Sequence, residues 1–535
     1  MTREATWPLH ELTMAAAWRR QVAAHAEKPY LHWLPDGRRW SYREADAAIN
    51  RLANGLLAEG VSHGTHVALF AENSPEHLFA FCALGKIGAV AVPVNTACRG
   101  EVLRYYLDQS DATALLVSED LADRIAALGP LPHLRRTVLL PSAGAACALP
   151  GIPCAALMQA SDAPPDTAVK PSDLAMLAYT SGTTGPSKGC MHSQASSLIF
   201  GLSNAETHGH RADDVFYVCL PLFHMNALQT QSLCALLVGG SVALSSRFSV
   251  SQFWPEVRAS GATITNLLGS MAAFLWAAPE AGGDRDNRLR MVSATPLPKF
   301  AEAFEQRFGL KLVSNYGLSD YAMATGFTTD APAEKRGSAG RARDGIEIRI
   351  VDDDDAPLPA GQPGEILLRS NRAWGAAGGY WKMPAATLEA TRNLWFHTGD
   401  RGILDTDGYL WFVDRKKDSI RRRGENISAY EVEQIVARHP AVAEAAAFAI
   451  PAETSEDEVA VAVILKPGST LAEAELLAHC VANMTYFMVP RFIRFVAEFP
   501  RTPSQKVEKH RLKTAAAEDR SPFWDRVAAG IEVRR

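Results

Sequence analysis

Thr180–Gly189 brings five hydroxyl residues, three glycines and one lysine into ten consecutive positions. Glycines let a backbone turn tightly and aim its N–H groups at an anion; the hydroxyls add donors and Lys188 a mobile positive charge. Such a loop suits a polyphosphate. Gly182, Gly185 and Lys188 run G-x-x-G-x-x-K, which departs from the Walker spacing G-x-x-x-x-G-K-[ST]. A bland surface loop is the competing reading of that composition, and the order of its residues argues against it.

The elements around the loop must hold it. The apolar run Leu174–Tyr179 leading into it reads as a buried strand. Upstream, a helical period over Tyr42–Leu57 is followed by a strand at His66–Ala71, a helix at Glu76–Ile87 and a strand at Ala89–Val94. This alternation predicts an α/β chain of open, mostly parallel sheets with flanking helices. Residues 141–171, rich in Ala, Pro and Gly, read as a surface excursion. Asp352–Asp355, followed by Pro357, Pro359, Gly361 and Pro363, reads as a solvated hairpin tip rather than a metal site. After Asp414–Asp418 the chain restarts with a helix at Ser428, strands at Ala445–Ile450 and Val459–Leu465, a helix at Leu471–Asn483 and a basic tail. That is a small α+β unit behind a charged linker.

At 535 residues the chain is too long for one ordinary core. Its 47% hydrophobic and 21% charged content is that of a soluble globular protein. A net charge of −5 gives no basic field for nucleic acid or an anionic membrane. Eight scattered cysteines without a C-x-x-C pair read as reduced thiols. No signal peptide and no membrane-length apolar run is visible, which predicts a cytoplasmic protein.

Further motifs follow the loop: Asn315–Asp320, Tyr380-Trp381, Trp395–Asp400, Asp414–Asp418, Arg423–Ser428 and Lys506. In this order and at these spacings, the chain resembles the adenylate-forming superfamily of acyl-CoA synthetases, adenylation domains and luciferases. The overall run is most similar to the bacterial crotonobetaine/carnitine–CoA ligase group. The resemblance implies a large N-terminal domain over residues 1–415 and a small mobile C-terminal lid over 416–535. It implies ATP, Mg2+ and coenzyme A as cofactors and co-substrates, a carboxylic acid as substrate, and a homodimer at the level of a family expectation.

Residue roles follow from the same resemblance. Thr180, Ser181, Gly182, Thr183, Thr184 and Lys188 would hold the β- and γ-phosphates. Tyr316 would stack adenine, and Gly317 would let the backbone approach the nucleotide. Ser319 stands where the family usually has threonine and would reach the α-phosphate. Asp320 stands where the family usually has glutamate; one methylene shorter, it would meet Mg2+ directly or through water. Asp400 would accept both ribose hydroxyls, with Arg415 beside it; an interdomain salt bridge is the plainer reading of that pair. Lys506, preceded by Gln505 where the family has glycine, would stabilise charge between carboxylate and α-phosphate. His224 would border the carboxylate as a gate, against the plainer reading of a core histidine. Lys417 falls at the hinge, and Gly424 on the strand lining a pantetheine tunnel. Arg421, Arg422 and Arg423 would meet coenzyme A phosphates or form a solvated basic face.

The acyl pocket is expected around Asn226, Ser270, Met271, Ala294 and Tyr321, any of which could equally be core. A trimethylammonium acid would want an aromatic cage, for which Phe223, Trp276, Tyr321 and Trp374 are candidates. Three functions compete: an acid–thiol ligase making acyl-CoA, a stand-alone adenylation protein loading a separate carrier protein, and a non-catalytic nucleotide binder. Retained Lys188, Asp400 and Lys506 argue against the third.

Overall fold

A computed structural model describes residues 7–142, 149–180, 186–415, 419–422, 424–452, 456–500 and 507–533. Two compact units divide the chain. One comprises Met1–Thr96, Asp108–Tyr179 and Gly189–Asp414; the other comprises Ala97–Leu107, Thr180–Lys188 and Arg415–Arg535.

Three sheets organise the first unit. In the nine-stranded sheet, six parallel strands lie in the order Pro29–Trp33, Ser241–Leu244, Val215–Val218, Ile264–Leu268, Met291–Thr295 and Lys311–Gly317. Antiparallel strands close its edges: Arg39–Ser41 on one side, Met323–Phe327 and Arg341–Ala342 on the other. A seven-stranded sheet is built around the parallel strands His66–Phe70, Val90–Pro93, Ala114–Ser118 and Arg136–Leu140. Leu174–Thr180 and Lys188–Ser193, which flank the glycine- and hydroxyl-rich sequence, are its last two strands. The third sheet is four-stranded, and its strands Ile346–Val351, Gly364–Ser370 and Phe396–Leu404 pair antiparallel.

Local chemistry explains the elements that frame these sheets. Ser41 and Glu44 form a reciprocal capping box at the start of helix Tyr42–Ala58, satisfying two N–H groups that the first turn leaves open. Ser74 caps helix Pro75–Lys86, where Pro75 supplies the preset φ of a first helical residue. Helix Gln194–His208 is buried along most of its length, which is why its apolar residues show no single stripe. The expected surface excursion at 141–171 is partly wrong. Cys154–Leu157 form a short helix with both ends buried, and Leu157 lies so close to Gly55 that a Cβ there would sit 2.6 Å from the Leu157 carbonyl oxygen.

The second unit is α+β. Its sheet pairs Val442–Pro451 antiparallel with Asp457–Leu465, which runs parallel to Phe492–Phe495. Phe448, Ile450, Ala460 and Phe492 form its core. A hairpin of Ser419–Arg422 and Glu425–Ser428 leads into helix Ala429–Ala437, whose N-terminus Ser428 caps. Seven of the eight cysteines fall in the described residues, all buried free thiols. Among those residues no helix is long and apolar enough to cross a membrane.

Candidate active site

Strands Ile264–Leu268, Met291–Thr295 and Lys311–Gly317 are adjacent in the large sheet and run parallel. The carboxyl ends of such strands are where open α/β sheets receive ligands. Tyr316 and Gly317 end the last of the three. Gly317 is confined by its neighbours: a Cβ there would meet Met323 Cα at 2.8 Å and the Ala322 carbonyl oxygen at 3.1 Å. The Tyr316 N–H donates to Thr325 Oγ1 (3.0 Å), and its phenol donates to Asp400 Oδ2 at 2.7 Å. Two distant motif segments therefore meet through one hydrogen bond.

Asp400 is only 3% exposed, and its stretch of strand Phe396–Leu404 is held by side-chain hydrogen bonds. Its N–H donates to Thr398 Oγ1 (3.0 Å), whose hydroxyl donates to the Ile366 carbonyl (2.8 Å). The Gly399 N–H donates to Glu365 Oε1 at 3.2 Å, and Gly399 itself takes φ of +69°. Glu365 is buried beside His397, with Nδ1 at 3.5 Å, and Arg392 at 3.7 Å. An aromatic face next to a rigidly held carboxylate suits a nucleoside: the ring stacks the base, and the carboxylate accepts from hydroxyls.

Ser319 and Asp320 occupy the turn after Gly317. His192 Nε2 lies 2.7 Å from the Ser319 carbonyl, and the Tyr380 phenol donates to Asp320 Oδ2 at 2.8 Å. Burial lowers the His192 pKa to about 4, so the ring is neutral and donates from Nε2. Tyr380 is almost fully buried, and desolvation together with the Asp320 charge raises its phenol far above the usual range. Neither His192 nor Tyr380 is marked by the sequence around it. A lone histidine in a short strand carries no signal of its partner, and the pair Tyr380-Trp381 carries none of Asp320. Among the described residues no group of three or more His, Cys, Asp and Glu could hold a metal ion alone. One oriented carboxylate is what Mg2+ shared with substrate phosphates asks of a protein, and Asp320 fits that donor requirement.

The expected acyl-pocket residues divide. Asn226 opens a π-helix, Asn226–Leu233, a rare geometry frequent at functional sites. Asn266 Nδ2 donates to Asn226 Oδ1 (2.6 Å) and to Thr230 Oγ1 (3.0 Å), forming a polar cluster beside the strand ends. Ala294 pairs with Leu267 in the neighbouring strand, and Ser270 and Met271 lie in helix Gly269–Ala277, with Met271 buried. His224 is half-buried with its ring 4.7 Å from Phe223. The Tyr321 ring stacks on Phe396 at 4.6 Å, and its oxygen accepts from the Ser370 N–H at 2.7 Å. Trp276 stacks on Phe300, and Trp374 is half exposed.

In the second unit, Ser187 next to Lys188 is enclosed by hydrogen bonds. Its N–H donates to Glu431 Oε1 (2.8 Å), its hydroxyl bonds the same carboxylate, and its carbonyl accepts from the Tyr105 phenol (2.8 Å). Burial raises the Glu431 pKa against the lowering effect of these donors. Gly424 takes φ of +82°, and its N–H donates to both carboxylate oxygens of Glu456, at 3.0 and 3.2 Å. Arg422 corrects the expectation for the arginine run. It is buried, donates to the carbonyls of Phe487 (2.9 Å) and Val489 (3.2 Å), and pairs with Glu458 at 2.7 Å. A buried guanidinium needs such partners, so Arg422 belongs to the core rather than to a solvated or phosphate-facing surface. Ser181, Gly182, Thr183, Thr184, Lys417, Arg423 and Lys506 lie outside the described residues, as does the Arg415 side chain.

Residues 18–381 match the AMP-binding enzyme family, and residues 431–506 match the AMP-binding enzyme C-terminal domain. The chain belongs to the AMP-binding enzyme family. Its curated relatives include the crotonobetaine/carnitine–CoA ligase of Salmonella paratyphi A, 32% identical over 490 residues that cover 89% of this chain and 93% of the relative. Among solved structures, the amide bond synthetase McbA of Marinactinospora thermotolerans superposes with a TM-score of 0.81 at 26% identity, covering 93% and 99% of the two chains. The fatty acyl-CoA synthetase of Mycobacterium tuberculosis gives 0.70 at 25% identity, covering 95% and 99%. This AMP-binding enzyme is of the AMP-forming acyl-CoA ligase kind.

Proposed function

We propose that the chain converts a carboxylic acid to its coenzyme A thioester in two displacements. A carboxylate oxygen attacks the α-phosphorus of ATP, the bond to pyrophosphate breaks, and an acyl-adenylate forms. The thiol of coenzyme A then attacks the acyl carbon, the bond to AMP breaks, and the thiol proton is released. The observation that carries this reading is the Tyr316–Asp400 hydrogen bond, which joins an aromatic face and a fixed carboxylate at the sheet's carboxyl edge.

Tyr316 stacks the adenine, Gly317 admits the nucleotide to the backbone, and Asp400 with Arg415 accepts and donates at the ribose. Thr180, Ser181, Gly182, Thr183, Thr184 and Lys188 grip the outer phosphates, while Ser319 reaches the α-phosphate. Mg2+, held on the protein side by Asp320, neutralises phosphate charge when bound. Lys506 stabilises the charge that builds between carboxylate and α-phosphorus. His224 gates the acyl carbon. Residues 416–535 act as a lid that turns about Lys417 and presents Gly424 to the pantetheine arm, in the manner of domain closures that move through a few torsions. The Glu456 carboxylate fixes the Gly424 N–H for that step. A cytoplasmic setting, where ATP and coenzyme A are abundant, goes with this reading.

The test is pyrophosphate release from Mg2+·ATP across a panel of carboxylic acids, with and without coenzyme A. A hit accelerated by coenzyme A supports the ligase and names the acid. A hit indifferent to coenzyme A but accelerated by a carrier protein overturns the choice of acceptor.

A further inference from the structure

The turn carrying Ser319 and Asp320 is not stabilised by its own backbone alone. Two side chains anchor it. His192 lies in strand Lys188–Ser193, and Tyr380 is bridged antiparallel to Cys190 of that strand: the Met191 N–H donates to the Gly379 carbonyl (2.9 Å), and the Trp381 N–H donates to the Gly189 carbonyl (2.8 Å). From this double-stranded brace His192 holds the Ser319 carbonyl at 2.7 Å, and Tyr380 holds Asp320 Oδ2 at 2.8 Å. Tyr380 is itself fixed, because its N–H donates to Thr387 Oγ1 (3.0 Å) and its ring is 4% exposed. A small cavity of ≈ 10 Å³ adjoins the pair, lined by Asp320, Gly379, Tyr380, Thr387 and Phe396 among others; that is about the space of one water molecule.

We propose that Tyr380 is a positioning residue for Mg2+·ATP: its phenol orients the short Asp320 carboxylate toward the metal. This rests on the reading of Asp320 as the metal's protein partner. An aspartate has one fewer rotatable bond than glutamate and reaches about one methylene less, so its usefulness to a metal depends on how its carboxylate plane is set. A buried phenol donating to Oδ2 sets that plane, since a hydrogen bond to an ionised acceptor is shorter and stronger than a neutral one. Ser319 stands on the same turn, so the two anchors fix the α-phosphate hydroxyl and the metal carboxylate together.

The probe is a non-hydrolysable ATP with a methylene between its α- and β-phosphorus, titrated by calorimetry at increasing Mg2+. Tyr380→Phe is expected to raise the Mg2+ concentration for half-maximal binding about tenfold, while binding of AMP without Mg2+ and the unliganded melting temperature change little. Asp320→Asn is expected to abolish the Mg2+ dependence. In the Tyr380→Phe background, Asp320→Glu is expected to recover most of the loss; the longer acid sets its own reach, and the adjoining cavity accepts the extra methylene. If Asp320→Asn shifts the Mg2+ curve and Tyr380→Phe does not, the positioning role is overturned and the metal assignment stands. If Asp320→Asn leaves the curve unmoved, Asp320 is not the metal's partner and both fall. Loss of AMP binding in Tyr380→Phe, or a collapse of its melting temperature, would reduce the phenol to a structural bond and also overturn the proposal.

Discussion

The Tyr316 phenol donates a 2.7 Å hydrogen bond to Asp400 Oδ2, although 84 residues separate them in the chain. Both side chains are buried, at 9% and 3% exposure. One bond thus sets the angle of the ring proposed to stack adenine and the position of the carboxylate proposed to hold the ribose. Tyr316→Phe keeps the ring and deletes the bond. Hydrogen bonds to charged groups contribute about 1.5–3 kcal/mol, so the KM for ATP is expected to rise roughly tenfold or more. The turnover number should fall less, because the ring still stacks. Steady-state kinetics in ATP, with AMP binding measured by calorimetry, check this; an unchanged KM for ATP would remove the pair from the nucleotide site.

His192 shows how a site residue can write itself into a pH profile. Its folded pKa of about 4 lies below the ordinary 6.5 because burial disfavours the cation. The unfolded chain therefore binds a proton below pH 6.5 that the folded chain refuses. Stability is fully present above pH 6.5, falls as the pH drops from 6.5 toward 4, and levels off below. The fall from this one group is of order 3 kcal/mol. His77 and His208, also fully buried with pKa values near 4, add slopes in the same window. His192→Gln retains a side-chain donor for the Ser319 carbonyl without the titration. Denaturant unfolding at pH 7 and pH 5 should show a smaller difference for this variant than for the parent chain. An equal difference would mean that His192 is not held neutral.

The alternation of apolar runs was legible because it is a local pattern with a local physical cause. The same holds for the hairpin at Asp352–Asp355, where the Asp352 N–H donates back to the Ala356 carbonyl. Partners distant in sequence were not legible. Nothing near Tyr321 announces that Phe396 will cover its ring, and nothing in the arginine run distinguishes buried Arg422 from its neighbours. The grouping of 97–107 and 180–188 with the C-terminal unit is likewise a property of packing, seen at Ser187 with Tyr105 and Glu431. Motif residues could be read as a set; the side chains that aim them, His192, Glu365 and Tyr380, could not, because their work is done across the fold.

Lys506 and Gly424 are proposed to serve opposite halves of the reaction, and opposite defects would separate them. Lys506→Ala removes the charge proposed to stabilise adenylation. Loss of a single preorganised donor costs about 10²–10³ in rate, so pyrophosphate release from acid and ATP should fall by that order. Thioester formation from supplied acyl-adenylate should be largely spared. Gly424→Leu acts the other way. At φ of +82° an L-residue is strained by roughly 1–2 kcal/mol, and its side chain would crowd the arm of coenzyme A beside the Glu456-bound N–H. Adenylation should survive in this variant while the thiol step slows at least tenfold. Assaying both half-reactions in both variants makes the pattern decisive: equal loss of both steps in either one would reject its assigned half, and a selective adenylation defect in Gly424→Leu would move Gly424 out of the tunnel.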